Sequence, residues 1–151
     1  MDKNEKIINL KEEESFIEQY VSLRNRYSKL LLTEPVNVAE TREWLKSKYI
    51  EIRGLVENNI LLGVVILYLN RDGEIAFFVK RQNMGIGRKL LKNIERVAKE
   101  KNLQSIWAWV LFDNVAAKKT FRKNGYTMEI ESTRSYAGEG RTGVIFRKEI
   151  H

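Results

Sequence analysis

The chain has 151 residues, a length typical of one domain, and 43% of them are hydrophobic, which is enough for an ordinary globular core. Lys and Arg outnumber Asp and Glu by 27 to 20, so the formal net charge of +7 favours anionic ligands. The absence of cysteine excludes disulfides, thiolate nucleophiles and cysteine-based zinc sites, and a lone terminal His151 disfavours a Ser-His-Asp triad or a metal site, so we expect no metal.

The first half of the chain predicts a strand and two helices. Lys6 to Leu10 form a short strand, and Glu13 to Lys29 form a helix whose acidic start and basic end suit the helix dipole. Pro35 then interrupts the chain, and Val38 to Lys48 form a second, shorter helix.

A three-stranded antiparallel meander is expected next. Tyr49 to Glu57 and Ile60 to Leu69 are rich in aliphatic residues, and Asn58-Asn59 between them is a turn signal, so the two segments should pair as a hairpin. A second turn leads to a third strand, Glu74 to Val79. The run from Ile60 to Leu69 is far shorter than the ~20 apolar residues of a membrane helix. Without a signal peptide at the amino terminus, we expect a cytoplasmic protein that does not enter a membrane.

The clearest helix of the chain begins near Ile86 and ends near Asn102, with an apolar face at helical spacing. The remaining elements are the strand Ser105 to Val110, the helix Asn114 to Asn124, and the strands Thr127 to Arg134 and Thr142 to Glu149, which flank a glycine-containing loop. This order of elements predicts a mixed α/β fold around one sheet, in a single domain over residues 1–151.

The loop before the long helix has the features of a phosphate-binding site. Gly85 and Gly87 lie between a strand and a helix, where unpaired main-chain N–H groups and the positive helix end converge. Lys80, Arg81 and Arg88 add positive charge around this loop. The nucleoside-triphosphate motif is excluded because its upstream glycine and its hydroxyl are missing. A dinucleotide fingerprint is excluded because Leu90 occupies the position of its third glycine.

Two segments resemble the GCN5-related N-acetyltransferase (GNAT) superfamily. The family's acetyl-CoA loop, [Arg/Gln]-x-x-Gly-x-[Gly/Ala], is similar to Gln82-Asn83-Met84-Gly85-Ile86-Gly87. A second family segment follows at the proper distance, with Asn114, Ala117, Phe121 and Gly125-Tyr126. The resemblance implies a central, mostly antiparallel sheet that is splayed at the acetyl-CoA site and flanked by helices. It also implies an acetyl-CoA-dependent N-acetyltransferase.

The resemblance also implies which residues bind the cosubstrate, acetyl-CoA. Its diphosphate would lie on the main-chain amides of Met84, Gly85, Ile86, Gly87 and Arg88, with Gln82 shaping the loop. Main-chain groups of Phe78 and Val79 would pair with the pantetheine arm, and one N–H would polarise the thioester carbonyl. In the family the residue at Asn114 bonds the pantetheine region. Lys118 and Arg122, one helical turn apart, are candidates for the 3′-phosphate.

Acetylation of an amine requires a base, because a free amine with a pKa near ~10 is mostly protonated at neutral pH. Glu74 is our candidate, since Glu-Ile-Ala-Phe-Phe-Val resembles the histone-acetyltransferase strand that carries the general base. Phe121 stands where the family commonly has a tyrosine general acid, so either another hydroxyl substitutes or the thiolate leaves unaided. Thr120, Tyr126 and Tyr136 are open, and Tyr126 is our candidate. Without cysteine, no acyl-enzyme is expected.

The acceptor is expected to be a primary amine of a small molecule or peptide. Leu23-Arg24-Asn25, Thr33, Thr41 and Trp44 resemble the opening of transferases that acetylate nucleotide-linked amino sugars, which is the narrower alternative. Trp109 replaces the glutamate of enzymes that acetylate ribosomal-protein N-termini, which disfavours that activity.

Two further interpretations follow from the composition and from Phe121. A non-catalytic CoA-binding protein stays open because Phe121 cannot protonate a thiolate. A nucleic-acid-binding module is disfavoured, because basic and acidic residues alternate along the chain and RNA-binding or zinc-finger motifs are missing. We therefore expect no nucleic-acid partner. A homodimer is compatible with the sequence.

Overall fold

The computed structural model describes residues 4–82 and 84–150. The strands are β1 Glu5–Asn9, β2 Ile50–Glu57, β3 Ile60–Tyr68, β4 Glu74–Val79, β5 Ser105–Leu111, β6 Thr127–Tyr136 and β7 Glu139–Glu149. The α-helices are α1 Ile17–Arg26, α2 Ser28–Leu31, α3 Val38–Trp44, α4 Ile86–Glu100 and α5 Val115–Lys123. Short 3-10 turns at Glu14–Phe16 and Leu69–Arg71 complete the regular structure of these residues.

All seven strands form one mixed sheet in the order β1-β2-β3-β4-β5-β7-β6. Neighbouring strands are antiparallel except for β4 and β5, which run parallel. The predicted fold class is confirmed: this is a mixed α/β fold whose sheet is mostly antiparallel, stays open and carries helices on both faces.

Each face of the sheet has its own hydrophobic core. The amphipathic helix α4 packs on one face, where its buried Leu90, Leu91 and Ile94 meet Val65 of β3 and Ile106 of β5. On the other face, α1 buries residues such as Tyr20 and Leu23 against β2, β3 and β4. The two cores fix the positions of β4 and α4, which carry the predicted site.

The meander β2-β3-β4 forms as predicted. Asn58 and Asn59 both have positive φ, of 51° and 64°, as the tight connection between β2 and β3 requires. The third strand has the predicted bounds, Glu74–Val79.

Three predicted boundaries are wrong. The helix predicted over Val38 to Lys48 ends at Trp44. The predicted helix Glu13 to Lys29 is broken at Tyr27, whose backbone leaves the helical region at φ −107° and ψ 8°. The predicted loop between the last two strands is strand up to a tight turn at Ala137 and Gly138, which have φ of 52° and 82°. The sequence does not predict a turn at Ala137, because the Cβ of alanine makes the left-handed conformation costly.

None of the helices within 4–82 and 84–150 has both the length and the apolar character that crossing a membrane requires.

Candidate functional site

The centre of the site is a cleft between β4 and β5. Among the described residues the two strands pair at one position, Glu74 opposite Trp107, where the Trp107 N–H donates to the Gly73 carbonyl at 3.1 Å. Beyond this point the strands diverge. A cavity of about 260 Å³ lies in the opening, between β4, the start of α5, and the α1–α2 junction.

Main-chain groups of β4 line this cleft. The N–H of Lys80 donates to the Leu62 carbonyl of β3 at 2.7 Å. Because the main-chain groups of successive residues alternate in direction along a strand, Phe78 also directs its N–H and carbonyl towards β3. Phe77 and Val79 direct theirs into the cleft. Of the two residues predicted to make main-chain contacts, Val79 therefore directs its N–H and carbonyl into the cleft. Phe78 also lines the cleft, but its N–H and carbonyl are directed towards β3.

A tyrosine that the sequence did not indicate closes the cleft from the helical side. The Tyr27 hydroxyl donates to the carbonyl oxygen of Val79 at 2.5 Å, and the ring lies 6.1 Å from the ring of Phe78. The break between α1 and α2 at Tyr27 places this side chain over the strand.

The glycine loop leads directly into α4, as the sequence indicates. Gly85 adopts φ +73° and precedes the first helical residue, Ile86, and its carbonyl accepts from the Lys89 N–H at 3.2 Å. None of the side chains in the described part of the chain caps this helix. The amides of Ile86, Gly87 and Arg88 have no carbonyl one turn earlier to donate to, as in any first helical turn. Their residues line the cavity at this helix end. Asn83 of the motif lies outside the described residues.

A larger cavity of about 430 Å³ adjoins this helix end. The residues of the predicted loop that line it are Gln82, Met84, Gly85, Ile86, Gly87 and Arg88. A Cβ built on Gly85 would meet no atom within 4 Å, so this glycine faces open space. A Cβ on Gly87 would lie 3.1 Å from Thr120 and 3.2 Å from Phe77, so α4 passes close to α5 and β4 there. The missing side chain at Gly85 gives a ligand close access to the main chain, whereas that at Gly87 permits this close packing.

The basic residues of α5 that reach the larger cavity are Lys119 and Lys123. The predicted pair lies on another side of the helix: the Lys118 ammonium sits 4.2 Å from the ring centroid of Phe112, and the Arg122 guanidinium lies 5.9 Å from that of Phe146. One residue rotates a side chain by about 100° around a helix, so an offset of one position separates the two pairs.

Asn114 has a structural role at the entrance to α5. Its side-chain oxygen accepts from the Ala117 N–H at 3.2 Å, which caps the helix. The same residue lines the cleft. Asn114 therefore caps α5 and also lines the cleft in which its contact with pantetheine is predicted.

Glu74 lies at the apex of the cleft and is 5% exposed. Its Oε2 accepts from Nη2 of Arg134 at 2.8 Å, and its Oε1 lies 3.6 Å from Nη1 of Arg71. Arg134 is more than half covered, whereas the Arg71 side chain is 55% exposed. Oε1 therefore has the looser partner.

Aromatic side chains of β5 hold Arg134 against Glu74. The guanidinium carbon lies 5.8 Å from the Trp107 ring and 5.0 Å from the Trp109 ring, distances at which a cation and an aromatic face attract. Trp107 and Trp109 are on the sheet face of Glu74, as the alternation of β5 predicts. Sequence alone could not show that Arg134, 60 residues after Glu74, completes this cluster.

Tyr126 lies away from the cleft. Its hydroxyl donates to Oε2 of Glu95 on α4 at 2.8 Å, and Lys148 pairs with the other oxygen of Glu95 at 3.0 Å. Burial and the neighbouring carboxylate raise the pKa of Tyr126 far above its usual range. Neither Tyr126 nor Glu74 is among the described residues that line the two cavities. Tyr126 belongs to the core on the α4 face of the sheet, whereas Glu74 is on the opposite face with Phe78, so the structure does not bring the two side chains together.

A further cavity lies on the side of the sheet that carries α1 and α3. Four residues from the segment that resembles amino-sugar transferases line it. These are Arg24, Thr33, Thr41 and Trp44. The neighbouring Leu23 is buried in the core. Asn25 fixes the following loop, because its amide exchanges two hydrogen bonds of 2.9 Å with the main chain of Val36.

The arrangement around α4 combines amides, positive side chains and a slot between strands, which is suited to a thioester with a diphosphate. Comparison by sequence with curated proteins finds no match. Solved structures with the same fold include yncA, an acetyltransferase from Salmonella typhimurium with acetyl-CoA, at a TM-score of 0.85 and 14% identity over 98% of this chain and 95% of that one.

Two further structures share the fold. An N-acetyltransferase from Staphylococcus aureus has a TM-score of 0.85 and 17% identity, over 98% of this chain and 99% of that one. A ribosomal-protein-alanine N-acetyltransferase from Brucella melitensis has a TM-score of 0.82 and 15% identity, over 95% and 99%. The model of the acetyltransferase (GNAT) family matches residues 14–126. The chain therefore belongs to the GNAT family of acetyltransferases.

Proposed function

We propose that this enzyme transfers the acetyl group of acetyl-CoA directly to the primary amine of a small molecule or peptide. The observation that supports it best is the uncapped start of α4 beside the opening between β4 and β5. Family membership and the acetyl-CoA in the structure of yncA point to the same cosubstrate.

In this proposal the ends of acetyl-CoA lie in the two adjoining cavities. The amides from Met84 to Arg88 hold the diphosphate at the helix end, where the helix dipole favours negative charge. Lys119 and Lys123 take the place of Lys118 and Arg122 as partners of the 3′-phosphate, because they line the larger cavity.

The pantetheine arm lies between the splayed strands, against the cleft-facing main chain of Val79 and beside Asn114. Phe77 has the cleft-facing amide closer to Glu74, and we assign its N–H to the thioester carbonyl oxygen. A donor aimed at this oxygen stabilises the negative charge that develops as the amine attacks.

Glu74 is the proposed base, acting through Oε1. The amine gives a proton to this carboxylate, directly or through one water, and its nitrogen forms a bond to the acetyl carbon. The carbon–sulfur bond then breaks, and the CoA thiolate takes a proton from solvent. Tyr126 has no assigned part because its hydroxyl is held by Glu95. Arg134 is a positioning residue that fixes the orientation of the carboxylate.

Initial-rate kinetics with a panel of amines tests this function. We expect thiol release that depends on both substrates, an N-acetylated product by mass spectrometry, and double-reciprocal lines that intersect, as a ternary complex requires. Parallel lines, or protein that becomes acetylated when the acceptor is omitted, would contradict direct transfer. Tight CoA binding without turnover of any amine would instead indicate the non-catalytic alternative.

A further inference from the structure

The face of the sheet that carries Glu74 has a cavity that the reaction above does not use. It measures about 320 Å³ and lies between α1, the segment 32–37, α3 and the end of β3. The side chains that matter for its chemistry are Tyr20, Arg24, Thr33, Trp44, Tyr68 and Arg71. Its size is that of a small-molecule subsite.

The cavity has an excess of positive charge. Among the described residues, Arg24 forms no ion pair, and its Nη1 donates to the main-chain carbonyl of Glu34 at 3.0 Å. Arg71 shares Glu74 with Arg134, which holds that carboxylate at the shorter distance. One acidic side chain, Glu40, lines the cavity, and its Oε1 already accepts from the Asn37 amide at 2.7 Å. The cavity lining therefore carries two guanidinium groups and one carboxylate, and that carboxylate already accepts a hydrogen bond.

Neutral hydrogen-bonding groups surround the same space. Burial raises the pKa of both Tyr20 and Tyr68, so both phenols keep their protons at neutral pH and can donate. The Thr33 hydroxyl oxygen is buried and has no hydrogen-bond partner within the described part of the chain. A buried polar atom without a partner costs free energy, which a ligand in the cavity would recover.

An aromatic wall completes the cavity. The rings of Tyr20 and Trp44 are stacked, with centroids 6.0 Å apart and planes inclined by 18°. Such a wall packs against the ring or carbon skeleton of a small molecule, while the guanidinium groups bind its charged oxygens.

The cavity lies close to both the cleft and the proposed base. The ring of Tyr20 lies 5.9 Å from that of Phe78, which lines the cleft on the other side. Arg71 lines the cavity and contacts Glu74. A molecule anchored at Arg24 can therefore extend along this face of the sheet towards the proposed base.

We propose that this cavity binds the anionic end of the acceptor, so that the enzyme prefers small amines that carry a phosphate or carboxylate group at a distance from the amine. This inference rests on the proposed function and narrows its substrate class. Arg24 and Arg71 select the negative charge, and Thr33, Tyr20 and Tyr68 supply further donors.

The test compares matched acceptors that differ in charge. Comparing glucosamine 6-phosphate with glucosamine measures the effect of a phosphate group on the rate. Comparing the dipeptide alanylalanine with its C-terminal amide measures the effect of a carboxylate. We expect the charged member of at least one pair to have the higher kcat/KM. The variant Arg24→Gln should lower this preference by about tenfold to a hundredfold, the usual worth of a charged hydrogen bond, chiefly through KM of the acceptor. Arg26→Gln, an exposed arginine on the same helix, is the matched control and should keep the preference.

A measurement that does not depend on turnover accompanies the kinetics. Inorganic phosphate and acetate are titrated separately into CoA-saturated protein, and the arginine side-chain N–H signals are followed by NMR. We expect the Arg24 signal to shift with at least one anion and to be absent in Arg24→Gln.

Equal rates for both members of each pair, an unchanged preference in Arg24→Gln, or Arg24 signals that neither anion shifts would overturn the inference. If wild-type protein binds acetyl-CoA and acetylates neutral amines equally well, only this inference fails. If it does not bind acetyl-CoA, the proposed function fails first.

Discussion

Arg134 of β6 donates to Glu74 of β4 at 2.8 Å, across a sheet in which β5 and β7 lie between their strands. The contact fixes the buried carboxylate at the apex of the cleft. Glu74 is on the face of the sheet where the cavity lined by Arg24 and Arg71 opens.

Replacing Glu74 by Gln should lower kcat by about a hundredfold, because a positioned base commonly contributes that much or more. Acetyl-CoA affinity should stay near the wild-type value, since the proposed diphosphate site lies beyond the other end of β4. Steady-state kinetics and calorimetric titration measure both quantities. Glu139→Gln, at the exposed β6–β7 turn, is the control. A kcat equal to that of wild type would remove Glu74 from the mechanism.

Lys119→Gln and Lys123→Gln should each weaken CoA binding by up to about tenfold, because each removes a cation from the larger cavity. Binding of 3′-dephospho-CoA should be nearly unaffected. Lys118→Gln is the matched control, since its ammonium lies over Phe112. Should Lys118→Gln have the larger effect, the 3′-phosphate would lie on the other side of α5.

The α5 lysines illustrate how far the sequence could predict this site. Gly85 and Gly87 were predictable because a glycine loop between a strand and a helix is a local feature with local geometry. Whether Lys118 or Lys119 reaches the cavity depends on how α5 rotates against the sheet, which its long-range packing decides. A shift of one residue therefore separates the predicted pair, Lys118 and Arg122, from the pair that lines the larger cavity.

The same reasoning explains the residues that sequence analysis missed. Tyr27 meets Val79 across 52 residues, and Arg134 meets Glu74 across 60, so no local pattern signals either contact. The order of elements along the chain and the meander β2-β3-β4 were predictable, because alternation and turn residues specify them locally. The Tyr126 hydroxyl is held by Glu95 of α4. The closeness of Tyr126 to the family motif in sequence could not reveal this contact.

Removing the hydroxyl of Tyr27 tests the closure of the cleft. Tyr27→Phe loses the hydrogen bond to the Val79 carbonyl, which should lower the free energy of unfolding by about 1 kcal/mol. The acetyl-CoA dissociation constant should rise, because that carbonyl is no longer held in place at the proposed pantetheine site. Denaturant unfolding and calorimetry provide the measurements. The control Tyr49→Phe changes an exposed tyrosine and should leave both values unchanged.

Gly85→Ala and Gly138→Ala form a pair with matched backbone strain. Both glycines have positive φ and open space around the added methyl group, so each variant should lose about 1 kcal/mol of stability. Only Gly85→Ala places that methyl at the proposed diphosphate site, and it alone should weaken CoA binding, by at least about tenfold. Equal affinities in the two variants would show that the loop does not contact the ligand.

The most direct test of the account is a titration of isotopically labelled protein with CoA, followed by the main-chain amide signals. We expect the largest shifts at Gly85, Ile86, Gly87 and Arg88, with a downfield change of the proton as each amide donates to the diphosphate. Saturation with CoA that leaves these four signals in place, while amides elsewhere move, would contradict the claim that the start of α4 holds the cosubstrate.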